Sequence, residues 1–418
     1  MSLNDKNINI DELIENAEEK LKGQYKKLEE ISQYNQEKVL RIFKENRISA
    51  RHFAGTNGYG YDDIGRDTLN VVMAEIVGAE KAIVSPFLTC GSHALALALF
   101  GVLNKAGMKM LAITGKPYDT LDEVIFGVEG KDIASLKDLG VQYNQIELNS
   151  NGKFDMAKIK EKIEEIQPDL IFIQRSRGYA WRDALDMEEI GNAIKEIRSY
   201  YKKGVVMVDN NYGEFVSKFE PCAVGADLQV GSLIKNAGGG LAPTGAYIAG
   251  RADVIEKISF RYTSPSLLLE VGSYAYGYQS FYQGLFMAPH TTCQALKGAL
   301  LMSTVFRDLG YDVLPREGVI PKDVVTSVVL NNKDKLIKLC QIIQSCSPVD
   351  SFVSPEPWDM PGYTSQIIMA AGTFVQGASI ELSCDAPIKS PYILYLQGGL
   401  TYEHIKYALK ECVKELIK

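Results

Sequence analysis

The chain has 418 residues, 46% hydrophobic and 23% charged, the make-up of a globular protein of two or more domains. A net charge of −7 argues against nucleic acid or an acidic membrane surface as the main partner. No apolar run reaches the ~18 residues of a transmembrane helix, and the N-terminus lacks a signal-peptide pattern, so a cytoplasmic location is expected. The seven cysteines are scattered without a CxxC, and the four histidines are dispersed; reduced core thiols and no metal site are expected.

Residues 10–47 place Leu13, Ala17, Leu21, Tyr25, Leu28, Ile31, Val39, Ile42 and Phe43 at helical spacing among alternating charges. This predicts an amphipathic N-terminal helical arm within residues 1–60. A glycine- and tyrosine-rich loop then leads into a helix near Thr68; such loops carry ligand contacts when a rigid scaffold holds them. AIVSPF reads as a strand, and LTCGSHALALALF as a turn and helix. Gly91 and Ser92 at that helix start leave N–H groups beside a positive helix end, a general anion site, and the Ser92 hydroxyl is a further donor. His93 on the first turn is expected to pack or cap. Met110–Thr114 is another strand, followed by the turn GKPYDT. Strands at Val141–Glu147 and Leu170–Gln174 alternate with helices at Phe154–Ile166 and Met187–Tyr201. This rhythm predicts an α/β fold with a mostly parallel sheet and helices on both faces.

The chemistry concentrates between Val205 and Gly245. Val205-Val206-Met207-Val208 is a buried-strand pattern that delivers Asp209 at its carboxyl end, where open α/β sheets place their sites. A second strand, Asp227–Val230, leads into Ser232, Lys235 and the run Gly238-Gly239-Gly240. A carboxylate and a lysine so placed suit pyridoxal phosphate, which needs a lysine amine for its aldehyde and an acid for its ring nitrogen. The Ser232 hydroxyl is available to the phosphate. Beyond Ile248 a mainly helical, tyrosine-rich segment runs from about Ile255 to Leu309. From Tyr311 strands and helices alternate again, ending in a strand pair and an amphipathic helix. The expected division is a large domain over 61–310, including the long helical connection, and a small C-terminal α/β domain over 311–418.

VDNNYGEF resembles the V-D-N-T strand end of the cystathionine lyase and methionine γ-lyase group, and Ser232-x-x-Lys235 resembles its S-x-T-K, with Ile234 where threonine is usual. The chain is most similar to the branch labelled methionine γ-lyase-like or aluminium-resistance proteins. The resemblance implies the aspartate aminotransferase-like fold type I of pyridoxal phosphate enzymes, with a seven-stranded large sheet, and a homodimer or homotetramer with shared active sites. It also implies that Cys90-Gly91-Ser92 occupies the place of the phosphate-binding S-G-M segment and that Tyr118 covers the cofactor ring. In the family's Y-x-R-x-x-N-P-T segment the tyrosine reaches the neighbouring subunit's phosphate, which implies that role for Tyr61 of the partner subunit. Asp63 stands where the segment's arginine should be; an acid cannot bind phosphate, which leaves Arg66 of the partner subunit to take that role. RSRGYAWR replaces the family's E-x-P-S-N-P, so Arg175, Arg177 or Arg182 can meet a carboxylate or cofactor oxygen, with Arg177 the choice. The family's R-x-S carboxylate clamp is missing from the closing strand, and Lys389 is the nearest cation, a point charge without a bidentate fork.

The expected activity is a pyridoxal phosphate-dependent carbon–sulfur lyase acting on a small cystathionine- or methionine-like amino acid. Lys235 would anchor the cofactor and then remove the α-proton, before β- or γ-elimination. An aldolase or aminotransferase, or a non-catalytic relative of the same fold, would share the Lys235 and Asp209 arrangement.

Overall fold

The computed structural model describes residues 9–360 and 365–417. In chain order the elements are α1 (Ile10–Glu45), α2 (Ile64–Val77), β1 (Lys81–Ser85), α3 (Gly91–Val102), β2 (Lys109–Ala112), α4 (Asp122–Phe126), β3 (Gln142–Gln145) and α5 (Met156–Ile166). There follow β4 (Leu170–Gln174), α6 (Met187–Tyr200), β5 (Val205–Asp209), β6 (Leu228–Ser232), β7 (Ala246–Gly250), α7 (Ala252–Tyr262) and α8 (Gln279–Asp308). The chain closes with β8 (Asp312–Leu314), β9 (Val325–Val329), α9 (Lys333–Ser345), β10 (Ile367–Ala370), β11 (Ser383–Pro387), β12 (Ile393–Gln397) and α10 (Tyr402–Leu416).

The first seven strands form one sheet in the order β1-β7-β6-β5-β4-β2-β3. The pairs from β6 to β3 are parallel, and β7 runs antiparallel to both its neighbours. Central strands β4 and β6 are buried at every position; β4 reads accordingly as an apolar run without alternation, LIFI before Gln174, whereas β6 carries Gln229, Gly231 and Ser232. Two of the sheet's apolar clusters lie on opposite faces. One holds α3 and α7 against Met110, Phe172, Met207 and Ile248; the other holds α5 and α6 against Leu111, Ile171, Ile173 and Val208. Successive residues of one strand thus point into different layers. The expected mixed, mostly parallel seven-stranded sheet is present.

The last five strands make a second, fully antiparallel sheet, β10-β11-β12-β9-β8, packed with α9 and α10. Its core also takes in residues of α8 and the buried Ile14, Ala17, Leu21 and Leu28 of α1. The N-terminal helix therefore lies along α8, with Lys20 paired to Asp308 at 2.8 Å and Glu18 to Lys406 at 2.8 Å. The segment expected to be mainly helical from about Ile255 to Leu309 is so, as two helices, α7 and α8, separated by an irregular stretch, 263–278. Pro265 opens this stretch, and Gly272 and Gly277 hold φ of +125° and +75°, values that an L-residue helix does not adopt. Among the described residues no helix is long and apolar enough to cross a membrane, and no cluster of metal-ligating side chains occurs.

Candidate active site

Asp209 ends β5 and Ser232 ends β6, adjacent parallel strands, so both face the carboxyl edge of the sheet. A cavity of about 410 Å³ opens there; Asp209, Ser232 and Lys235 line it together with Cys90, Gly91, Ser92 and Tyr118. Seven residues singled out from the sequence thus share one cavity.

Lys235 sits in the turn after β6 with its Nζ 4.0 Å from the centroid of the Tyr212 ring. Tyr212 holds a φ of +68°, in the left-handed region that a tyrosine seldom enters. That local cost brings its ring to the lysine. Asn236 fixes the turn by donating to the backbone oxygens of Tyr212 and Glu214 at 3.1 and 3.0 Å.

Asp209 is 6% exposed and accepts two hydrogen bonds from Asn211, from its backbone N–H at 3.1 Å and its side-chain amide at 2.7 Å. Burial raises the Asp209 carboxyl above the ordinary range, while the Asn211 bonds and the positive charge of Lys235 act the other way. Such a group waits for a partner that carries a proton or positive charge. Asn211 also packs on Gly91: a Cβ at Gly91 would lie 2.6 Å from Asn211 Oδ1. Gly91 is the first residue of α3, and Cys90 caps it through Sγ, which accepts from the His93 N–H at 3.4 Å. Ser92 Oγ meets Thr120 Oγ1 at 2.8 Å. Ser232 Oγ accepts from the Ile234 N–H at 3.3 Å. The start of α3 and the hydroxyls of Ser92 and Ser232 thus line the same cavity.

Tyr118 lines the same cavity, and its N–H donates to Gln174 Oε1 at 2.7 Å. Its ring approaches that of Tyr179 at 5.9 Å, and Tyr179 in turn approaches Tyr395 at 4.9 Å.

The other predicted residues lie elsewhere. Arg177 is buried and pairs with Asp323 at 3.0 Å, joining the loop after β4 to the start of β9, and it does not line the cavity. The two neighbouring arginines are also occupied. Arg175 donates to Asn210 Oδ1 at 2.8 Å and Gly213 O at 2.6 Å, and Arg182 to the carbonyls of Ser176 and Asp183 at 2.9 and 3.0 Å. Lys389 is exposed on the turn between β11 and β12, away from the cavity lining. Arg66 is buried within its own chain, donating to Gly60 O at 2.9 Å and pairing with Asp67 at 2.8 Å. Asp63, in the place of the family arginine, is the N-cap of α2 and accepts the Arg66 N–H at 3.0 Å. Tyr61 is 57% exposed with its ring stacked on Tyr59, outside the cavity of its own chain.

Sequence reasoning missed Asn211, Tyr212, Tyr179 and three residues of the second sheet, Asp385, Tyr395 and Gln397, all of which line the cavity. Asn211 and Tyr212 follow Asp209 directly and were in view. The signal for Asp385 was a lone carboxylate inside SCDAP, a strand otherwise free of charge.

A family described as methionine gamma-lyase matches residues 10–417. A crystal structure of a Clostridium acetobutylicum protein, whose name provisionally joins cystathionine β-lyase to aluminum resistance, superposes with a TM-score of 0.95 at 46% identity, covering 99% of this chain and 97% of that one. A Clostridium novyi NT structure described as a carbon–sulfur lyase involved in aluminum resistance gives 0.93 at 47% identity, with 98% and 96% covered. The uncharacterized protein YnbB of Bacillus subtilis (strain 168) is 46% identical over 402 residues, 96% of this chain and 95% of its own. The two-sheet architecture is that of fold-type I pyridoxal phosphate enzymes. With this fold and site, the chain belongs to the methionine γ-lyase family.

Proposed function

We propose that the cavity binds pyridoxal 5′-phosphate and that the chain is a carbon–sulfur lyase acting on a small sulfur amino acid by β- or γ-elimination. The observation that carries this reading is the meeting of Lys235, buried Asp209 and the start of α3 in one cavity. The donor set fits the cofactor: the amides of Gly91 and Ser92 with the hydroxyls of Ser92 and Ser232 suit its phosphate, Asp209 its ring nitrogen, Lys235 its aldehyde and Tyr118 its ring face. When bound, pyridoxal phosphate supplies an aldehyde that takes up an amine and a ring that accepts an electron pair.

With the cofactor bound, Asp209, held by Asn211, would keep a proton at the ring nitrogen. Lys235 would take the α-proton and return a proton to the departing sulfur, with the Tyr212 ring beside its amine limiting where that amine can move. The net products would be a thiol, a keto acid and ammonia, with one water consumed. The proposal includes a homodimer or homotetramer in which Tyr61 of the partner subunit reaches the phosphate, and a cytoplasmic setting that suits seven free cysteines.

An absorbance spectrum of the purified protein and of Lys235→Ala tests the cofactor. A yellow band in the wild type, lost as a lysine-linked species in the variant, is expected; a protein that stays colourless with added pyridoxal phosphate refutes the reading. Keto acid and thiol from a sulfur amino acid identify the reaction. A second reading, another reaction class on the same cofactor, draws on one observation: among the described residues no arginine lines the cavity to clamp an α-carboxylate. Aldehyde and glycine as products would favour it.

A further inference from the structure

The proposed chemistry uses Asp209 and leaves a second cavity carboxylate, Asp385, without a task. Asp385 lies on β11 directly opposite Tyr395 on β12, and Gln397 stands two positions farther along the same face. Asp385 Oδ1 and Gln397 Oε1 are both buried without a hydrogen-bond partner among the described residues, although the Tyr179 hydroxyl and the Gln397 amide lie close enough to the carboxyl to favour its charged form. A buried oxygen that these neighbours leave unmet is costly unless something else donates to it. Asp385 and Gln397 are flanked by an aromatic wall: Tyr179 and Tyr395 lie 4.9 Å apart by ring centroid, and the Tyr395 hydroxyl pins the pair by donating to Tyr179 O at 2.7 Å.

The charge balance points the same way. Among the described lining residues Lys235 is the single cation, set against Asp209 and Asp385. Lys235 and Asp209 have work at the cofactor, so Asp385 has no cation of its own. A carboxylate bordered by tyrosine faces is the chemistry that receives an ammonium, through ion pairing, hydrogen bonds and cation–π attraction together.

We propose that Asp385, with Gln397 and the Tyr179–Tyr395 wall, is the specificity-determining pocket that receives a cationic, donor-bearing group at the far end of the substrate side chain. The pocket therefore selects amino acids with a distal ammonium over neutral chains such as that of methionine. This inference rests on the proposed function only in placing the substrate's reacting end at Lys235.

Calorimetric titration of the protein as purified, with L-lysine and with L-norleucine, tests it without turnover, because the two ligands have chains of the same carbon count and differ in the terminal ammonium. Lysine is expected to bind at least tenfold more tightly, and Asp385→Asn is expected to bring the ratio to within about threefold of unity. Norleucine binding as tightly as lysine, lysine giving no binding at all, or a lysine preference that survives Asp385→Asn would each overturn the proposal. The wild-type pair decides the matter even if the variant does not fold. A colourless protein that still prefers lysine would refute the proposed function and leave this pocket standing. A yellow protein without the preference would do the reverse.

Discussion

Glu214 offers a direct test of the site's electrostatics. It lies in the loop after β5, is 2% exposed, and accepts from the Tyr247 hydroxyl at 3.1 Å on Oε1, while Oε2 is buried without a partner. Burial pushes its carboxyl up to about 8, with the nearby Glu220 adding to the rise and Lys235 opposing it. In the unfolded chain the same group titrates near 4.5. Between these values the folded protein holds a proton that the unfolded chain releases. Its contribution is thus fully present below pH ~4.5, falls by about 1.4 kcal/mol per unit as pH rises, and is gone above pH ~8. Glu214→Gln cannot ionise and lacks this slope. From pH 5.5 to 7.5 the variant should gain about 3 kcal/mol relative to wild type, or roughly 3 °C in melting temperature for a chain of this length melting as one unit. Parallel thermal melts of both proteins across that range measure the difference. A difference that is flat with pH, or that shrinks as pH rises, would refute the assignment of a buried, protonated Glu214.

Two further substitutions probe other parts of the architecture. Asp323→Ala leaves Arg177, 2% exposed, charged and unpaired, and should lower stability by about 3–5 kcal/mol in a denaturant titration; a loss under ~1 kcal/mol would show that this bridge between the sheets is dispensable. Gly91→Ala drives a methyl into Asn211 and through it disturbs Asp209, so affinity for added pyridoxal phosphate should fall about tenfold with little change in melting temperature. Unchanged affinity would mean that the start of α3 does not cradle the phosphate.

The large sheet was legible because β4 and β5 are buried strands with apolar runs, LIFI and VVMV, and a run of that kind states its own burial. Asp209 and Lys235 were legible because each ends or follows a buried strand. The arginines were not. Arg175, Arg177 and Arg182 look alike as charges, and only the packed structure shows that Asn210, Asp323 and backbone carbonyls take them up. Asp63 reads as an acid where phosphate binding needs a base, yet its position before Ile64 makes it a helix cap. Asp385 and Gln397 reach the cavity from the second sheet, more than a hundred residues along the chain from Lys235, a meeting that no local pattern encodes. The break at 263–278 was masked by tyrosines and alanines that mimic a helical composition, while Pro265, Gly272 and Gly277 carried the contrary signal.

The docking of α1 has a consequence for the order of events during synthesis. Ile14, Ala17, Leu21 and Leu28 leave the ribosome well before most of the residues that share their cluster, from Cys293 to Leu416. The seven-stranded sheet is complete once Gly250 has emerged, and the two clusters on its opposite faces are complete once α7 has followed. Throughout that interval α1 carries an apolar stripe whose main covering residues have yet to be made, so it is buried long after its own synthesis.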